Sequence, residues 1–248
     1  MRIILHSDLN NFYASVELLR HPELRGVPVA VCGSREDRHG IVLARNQPAK
    51  EAGVKTGDVI WQAEKKCPGI VLLPADFLSY LRVSKAVREI YERYTDRVEA
   101  FGIDECWLDV TDVSKLFGGG RRIAEEIRAA VKAEIGITVS VGVSWNKIFA
   151  KLASDMKKPD AVTELTPENY RKDAWSLPVG DLLYVGPATE KKLALHGIHT
   201  IGALARTDEK LLCAWLGKWG SHLHAFANGL DNTPVRRREE ERNVRSIG

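Results

Sequence analysis

What this chain can fold into is limited most by where its strand signals stop. Up to Pro159, short apolar runs of strand length alternate with segments of helical period, and beyond it no strong strand signal returns. The opening run RIILHSD is an apolar strand ending on Asp8, and it passes into NNFYASVELLR, where Phe12, Val16 and Leu19 recur at helical spacing. Residues 26–33 and 40–44 read as two more strands, and PAKEAGV and WQAEKKCPGI as short helices broken by Gly and Pro. The segment 78–94 is a strong amphipathic helix with Leu78, Leu81, Val83, Val87, Ile90 and Tyr94 on one broad face. Strands near 97–101 and 105–110 are joined tightly at Gly102, 120–134 is a helix of mixed charge, and TVSVGV at 138–143 is a strand. That order predicts an α+β fold, an antiparallel or mixed sheet with helices on one face, as in ferredoxin-like folds. Residues 166–230 read as short helices separated by LPVGD, HGIHT and LGKWG, a separate all-helical module. The last stretch, TPVRRREEERNVRSIG, lacks apolar periodicity and reads as an extended linker.

With 248 residues, 44% apolar and 28% charged, the composition is that of an ordinary soluble protein. No apolar run approaches the roughly 18 residues that span a membrane, and the opening apolar stretch is too short for a signal peptide. A cytoplasmic location is expected. The four cysteines, Cys32, Cys67, Cys106 and Cys213, form no C-x-x-C pair, which argues against structural zinc and against a disulfide framework. A net charge of +3 does not by itself specify a nucleic-acid partner, but basic residues gather at 147–158, 190–192 and 236–245.

The stretch FGIDECW places Asp104 and Glu105 side by side in apolar surroundings. Burying two adjacent carboxylates is costly unless a positive charge joins them. Asp8 ends one strand and the acidic pair opens another, so neighbouring strands would bring three carboxylates to one sheet edge. A perfect strand would send Asp104 and Glu105 to opposite faces; a turn or bulge at Gly102 would let both reach one point. Three converging oxygen donors suit Mg²⁺, and two such ions support phosphoryl transfer. Spacing alone leaves a second reading open, in which Asp8 caps the following helix and the pair lies on a solvated turn.

In SWNKIFAKLASDMKKP, Ile148, Phe149, Leu152 and Met156 form an apolar helix face, and Lys147, Lys151 and Lys158 fall within roughly 40° of one another on a 3.6-residue helix. Such a stripe suits triphosphates or a nucleic-acid backbone, or is simply a solvated face. In the helical module, Gly186 with Lys191, and Gly217, Lys218 and Gly220, mark turns where backbone N–H groups can approach a phosphate, or where glycines merely cap helices.

Taken together, HSDLNNFYASVE, FGIDECWLDVT, SVGVSWNKIFAKLASDMKKP and VGPATEKKL, in this order and spacing, resemble the Y-family translesion DNA polymerases, nearest to the DNA polymerase IV (DinB) type. The resemblance implies a ferredoxin-like palm at 1–10 and 76–165, inserted small α/β fingers at 11–75, a helix-hairpin-helix thumb at 166–232 and a linker at 233–248. It implies template-directed addition of dNMP to a primer, with two Mg²⁺ ions held by Asp8, Asp104, Glu105 and the Leu9 carbonyl. Phe12, Tyr13, Gln47, Lys50 and Lys158 would face the nucleotide, with Tyr13 as the gate that excludes a ribose 2′-OH. Lys147, Lys151, Gly186, Lys191, Gly217, Lys218 and Gly220 would face DNA.

The chain departs from the family pattern at Asn10, usually Asp; at Gln47 and Lys50, usually Tyr and Arg; and at Tyr184, usually the first glycine of the thumb hairpin. It ends at Gly248, in what reads as the tether to a little-finger domain. Expected partners are primer–template DNA, a dNTP and, through that further region, a sliding clamp; the chain is expected to be a monomer. The alternatives are a polymerase-like DNA-binding protein with weak or no catalysis, and a nucleotide cyclase on a related palm, which leaves the thumb hairpin unexplained.

Overall fold

The computed structural model describes residues 1–33 and 40–237, so the part of the expected linker at 238–248 lies outside the described residues. In chain order, β1 (Ile4–Leu9) leads into α1 (Phe12–Arg20), followed by β2 (Val29–Cys32), β3 (Val42–Arg45), α2 (Gln47–Glu51), α3 (Ile60–Lys66) and β4 (Val71–Pro74). Next come α4 (Phe77–Tyr91), β5 (Val98–Ala100), β6 (Glu105–Asp109), α5 (Gly120–Ala130), β7 (Val139–Ser144), α6 (Lys147–Met156) and β8 (Val162–Glu164). The helical module holds α7 (Tyr170–Asp173), α8 (Pro187–Ala194), α9 (Ile201–Arg206), α10 (Glu209–Leu216) and α11 (Lys218–Ala227).

Two sheets form, a larger one in the order β5-β6-β1-β7-β8 and a smaller one in the order β3-β2-β4. In the larger sheet β1, α4, β5, β6, α5 and β7 follow the ferredoxin-like path, and the smaller sheet is inserted between β1 and α4. The fold is α+β, as the element order predicts. β1 pairs antiparallel with both β6 and β7 and is buried at all six positions. Alternation along the strand divides it: Leu5 and Leu9 join the core built with α4 and α5, whereas Ile4 packs with Trp107 and Ala150 beside α6. The expectation of helices on one face is therefore corrected, because α6 covers the other. Its close approach depends on Gly142, where an added Cβ would stand 1.9 Å from the Ala150 carbonyl oxygen.

Three further details differ from the sequence expectation. β4 and β8 are strands that periodicity did not signal. Each is short and pairs parallel, β4 with β2 and β8 with β7, so the chain's partner, rather than a local pattern, makes it a strand. The buried face of α4 is Tyr80, Ser84, Val87, Ile90 and Tyr91, while Leu78 and Leu81 are exposed. Two hydroxyls turn the helix that way: Tyr80 donates to Glu17 Oε1 at 2.6 Å and Tyr91 to Ser7 Oγ at 2.8 Å. The helix expected over 120–134 ends its α-helical part at Ala130 and continues as a π-helical turn over Val131–Ile135.

Candidate active site

Asp8 on β1 lies directly opposite Glu105, the first residue of β6. Asp104 precedes that strand, on a tight turn in which Gly102 takes φ +92° and the Phe101 N–H donates to the Glu105 carbonyl at 2.8 Å. Strand alternation therefore does not apply at Asp104. The turn is fastened from two sides. The Leu9 N–H donates to the Asp104 carbonyl at 3.0 Å; from α4, Ser84 Oγ donates to the Ile103 carbonyl and Arg88 Nη2 to the Gly102 carbonyl, the latter at 3.1 Å. Asp8 does not cap α1: that position belongs to Asn11, with φ 50° and no side-chain cap bond.

Cations reach this acidic edge from α6 and the residues after it. Lys151 Nζ lies 3.2 Å from Asp8 Oδ2, 3.0 Å from Glu105 Oε2 and 3.1 Å from Asp155 Oδ2. Lys158 Nζ lies 2.8 Å from both Asp8 Oδ2 and Asp155 Oδ1. Beneath them the fully buried His6 sets Nδ1 2.9 Å from Ser154 Oγ and Nε2 3.1 Å from Glu105 Oε2. Burial works to raise the Glu105 carboxyl, but His6 and Lys151 outweigh it and hold the group at about 2. Burial moves Asp104 the other way, upward, and the charges of Glu105 and Asp8 reinforce it. Burial lowers His6, against the pull of Glu105. For Lys151 and Lys158 the surrounding carboxylates more than offset burial and hold both ammonium groups above their usual value.

Among the described residues, no three His, Cys, Asp or Glu side chains already stand together as a metal cage. The donor set nevertheless fits a hard cation. An ammonium group sits between Asp8 and Glu105, Glu105 Oε2 is buried without a well-aligned hydrogen bond, and Asp104 is crowded by like charge.

A cavity of about 180 Å³ adjoins Asp8, walled by Asn10, Asn11, Arg45, Gln47, Lys50, Lys158 and Pro159. Two expected nucleotide residues, Gln47 and Lys50, therefore meet Lys158 across the gap between the two sheets. Gln47 Nε2 donates to Glu51 Oε1 at 2.9 Å. Asn10 is a structural node. Its Nδ2 donates to Ser140 Oγ at 2.9 Å, and its Oδ1 accepts from Thr138 Oγ1 at 3.1 Å and from the Asp160 N–H at 2.9 Å. The last bond anchors the segment carrying Lys158. Tyr13 stacks on Tyr80, with ring centroids 4.4 Å apart and planes 14° apart; burial and the nearby Asp104 charge raise its phenol. Phe12 differs from the expectation, since its ring is buried in the core against Tyr80.

The lysine stripe does not form as a unit. Lys147 turns into the core, 2.8 Å from Glu99 Oε2 and over the Trp107 ring, and Lys158 lies beyond the end of α6. In the helical module, Gly186 caps α8 with open space where a Cβ would be, and Gly217 between α10 and α11 is equally open. Lys191 and Lys218 are exposed. Gly220 serves packing instead: a Cβ there would lie 2.3 Å from the Leu212 carbonyl. Tyr184, in place of the expected glycine, still adopts the left-handed φ of 71° and rests its ring near Trp219.

Sequence reasoning missed His6 and Arg45. His6 was detectable, because two residues before Asp8 on a strand is the same face. Arg45 was not, since only the apposition of the two sheets brings it to the cavity.

Residues 7–155 match the model of the impB/mucB/samB family, more than half of the chain. The chain is 59% identical over 247 residues to DNA polymerase IV of Acetivibrio thermocellus, covering all of this chain and 62% of the relative. It is 44% identical over 234 residues to DNA polymerase IV 1 of Bacillus subtilis, covering 94% of this chain and 56% of that protein. It thus spans less than two thirds of the length of these relatives. Among solved structures, DinB from Sulfolobus solfataricus superimposes with a TM-score of 0.87 at 27% identity, over 95% of this chain and 69% of that one. An insertion ternary complex of Dbh DNA polymerase gives 0.87 at 28% identity, over 94% and 69%. The motifs that resemble the DinB-type polymerases, the ferredoxin-like sheet that carries them and the family match over residues 7–155 agree: the chain belongs to the impB/mucB/samB family and has the Y-family polymerase fold.

Proposed function

We propose that this chain is the catalytic core of a template-directed DNA polymerase of the translesion type, which adds dNMP from a dNTP to a primer 3′-OH and releases pyrophosphate. The observation that carries the reading is the pairing of Asp8 with Glu105, with Asp104 on the turn just before it, beside a cavity lined by Asp8, Lys50 and Lys158. An acidic edge for cations adjoins a basic pocket for a polyanion.

In this reading Asp8, Asp104, Glu105 and the Leu9 carbonyl hold two Mg²⁺ ions, which when bound would activate the attacking hydroxyl and stabilise the leaving oxygen. Lys151 and Lys158 keep the acid cluster from repelling itself, and Lys158 turns to the triphosphate when it enters. Tyr13, braced by Tyr80, sits under the sugar. Palm residues are 1–10 and 76–165, with fingers at 11–75. The thumb, 166–232, offers the open turns at Gly186 and Gly217 to the duplex backbone, with Lys191 and Lys218 nearby. Such chemistry needs positioning and charge more than a protein base.

The test is single-nucleotide extension of a primed template at low salt, with Mg²⁺ and high protein concentration. Incorporation of the templated dNTP is expected. Duplex binding with neither dNTP binding nor extension would favour the DNA-binding alternative.

A further inference from the structure

Arg45 closes β3 and lines the cavity shared with Asp8, Lys50 and Lys158. Its Nη1 donates to Thr56 Oγ1 at 2.8 Å, which fixes the guanidinium plane. Its Nε is buried and has no hydrogen-bond partner among the described residues, and no carboxylate among them pairs with the group. A buried guanidinium N–H without an acceptor is unfavourable, so the fold itself does not fully satisfy this side chain.

With Nη1 committed to Thr56 and Nε enclosed, Nη2 is the guanidinium nitrogen left for a ligand. A phosphate oxygen accepts well from such a planar, permanently charged donor. The neighbouring positions have no guanidinium: Lys50 is an exposed point charge, and Gln47 is tied to Glu51. Arg45, Lys50 and Lys158 face a single carboxylate, Asp8, in this wall, so the pocket suits a polyanion.

We propose that Arg45 is the residue that grips the triphosphate of the incoming nucleotide, supplying from β3 the guanidinium that position 50 lacks. This rests on the polymerase reading of the cavity. It makes Arg45 a contact for phosphate rather than for base or sugar, so its loss acts on triphosphates and spares monophosphates.

The experiment measures equilibrium binding of dTTP and of dTMP to the full chain with Mg²⁺ and a primer–template whose primer cannot extend. For Arg45→Ala, dTTP affinity is expected to fall at least about tenfold, with dTMP and DNA affinity unchanged. Arg45→Lys should recover only part of the loss. Thr56→Val, which leaves Arg45 in place but frees Nη1, should fall between parent and Arg45→Ala, and it serves as the probe should Arg45→Ala fold poorly. An unchanged ratio of dTTP to dTMP affinity in both Arg45→Ala and Thr56→Val overturns the assignment while leaving the polymerase reading standing. A parent chain that shows no preference for dTTP over dTMP overturns both.

Discussion

α6 carries two lysines one turn apart, and each meets a carboxylate cluster of opposite design. At Lys147 a single buried acid, Glu99, is surrounded. Its oxygens accept from Lys147 Nζ at 2.8 Å, from the Arg236 N–H at 2.9 Å, and from Arg236 Nε and Nη2 at 3.1 and 2.9 Å. At Lys151 the balance is reversed. Three acids, Asp8, Glu105 and Asp155, share two lysines, Lys151 and Lys158, and the charges of Asp8 and Glu105 also bear on Asp104. The first cluster is closed, with its charge over-neutralised and its lone pairs used. The second is open and short of positive charge. A closed cluster holds structure together; an open one is poised for a ligand that brings cations. Here the closed one straps residues 235–237 to the sheet: Val235 is buried beside Trp107, and Arg237 Nη2 lies 3.3 Å from Asp96.

Removing one partner should therefore have different consequences in the two places. Glu99→Ala leaves Lys147 buried and unpaired, and is expected to destabilise the fold by about 3–5 kcal/mol, read as a fall in thermal midpoint and denaturant tolerance. A loss under 1 kcal/mol would mean that the closed cluster is not structural. Its pH dependence sharpens the point. Burial pushes the Glu99 carboxyl up, but Lys147 and Arg236 overcome this and hold it below its ordinary value. A depressed folded-state value gives stability that is present above the ordinary carboxylate range and lost as pH falls through the folded value. Glu99→Gln should consequently flatten the loss of stability between neutral and acid pH.

At the open cluster the same kind of change should chiefly cost activity. Asp104→Asn and Glu105→Gln are each expected to lower primer extension by about 10²–10³-fold, equivalent to about 3–4 kcal/mol of barrier. Melting should not fall for Asp104→Asn, whose carboxyl is held above its ordinary value, but should fall for Glu105→Gln, whose carboxyl is held at about 2. Normal extension by either variant would remove that carboxylate from the metal set. Next in size, Tyr13→Ala should reduce discrimination against ribonucleotides by at least about tenfold, measured as the ratio of dNTP to rNTP incorporation. The smallest effect belongs to the helical module. Lys191→Ala and Lys218→Ala should each lower the slope of log affinity against log salt by about 1, with little change in extension at low salt.

The core of the site was legible because it is written in local chemistry. Adjacent acids in an apolar stretch, a glycine before them and a third acid ending a strand are compatible with convergence, and the resemblance selected that reading; Gly102 does take the left-handed φ that the turn needs. The resemblance across four motifs carried the fold and the family. Much else was not legible. Lys147 and Lys151 have the same spacing pattern and different fates, decided by Glu99 on β5 and Asp8 on β1. Phe12 and Tyr13 are consecutive aromatics, yet one fills the core while the other is only half-buried. Leu78 and Leu81 fit the helical period better than Ser84 does, but they are outside, because Tyr80 and Tyr91 find hydrogen-bond partners inside.

Apart from β4 and β8, the order of strands and helices could be read from the sequence, as could the ferredoxin-like class, the three acids and the family, because periodicity, turn chemistry and ordered motifs are local or order-dependent. Only the tertiary structure decided which lysine is structural and which sits on the acids, that Asn10 anchors the Lys158 segment, and that Arg45 comes to the cavity. Those outcomes depend on which charges and lone pairs remain unmatched once strands distant in the chain have paired, and no window of residues contains that sum.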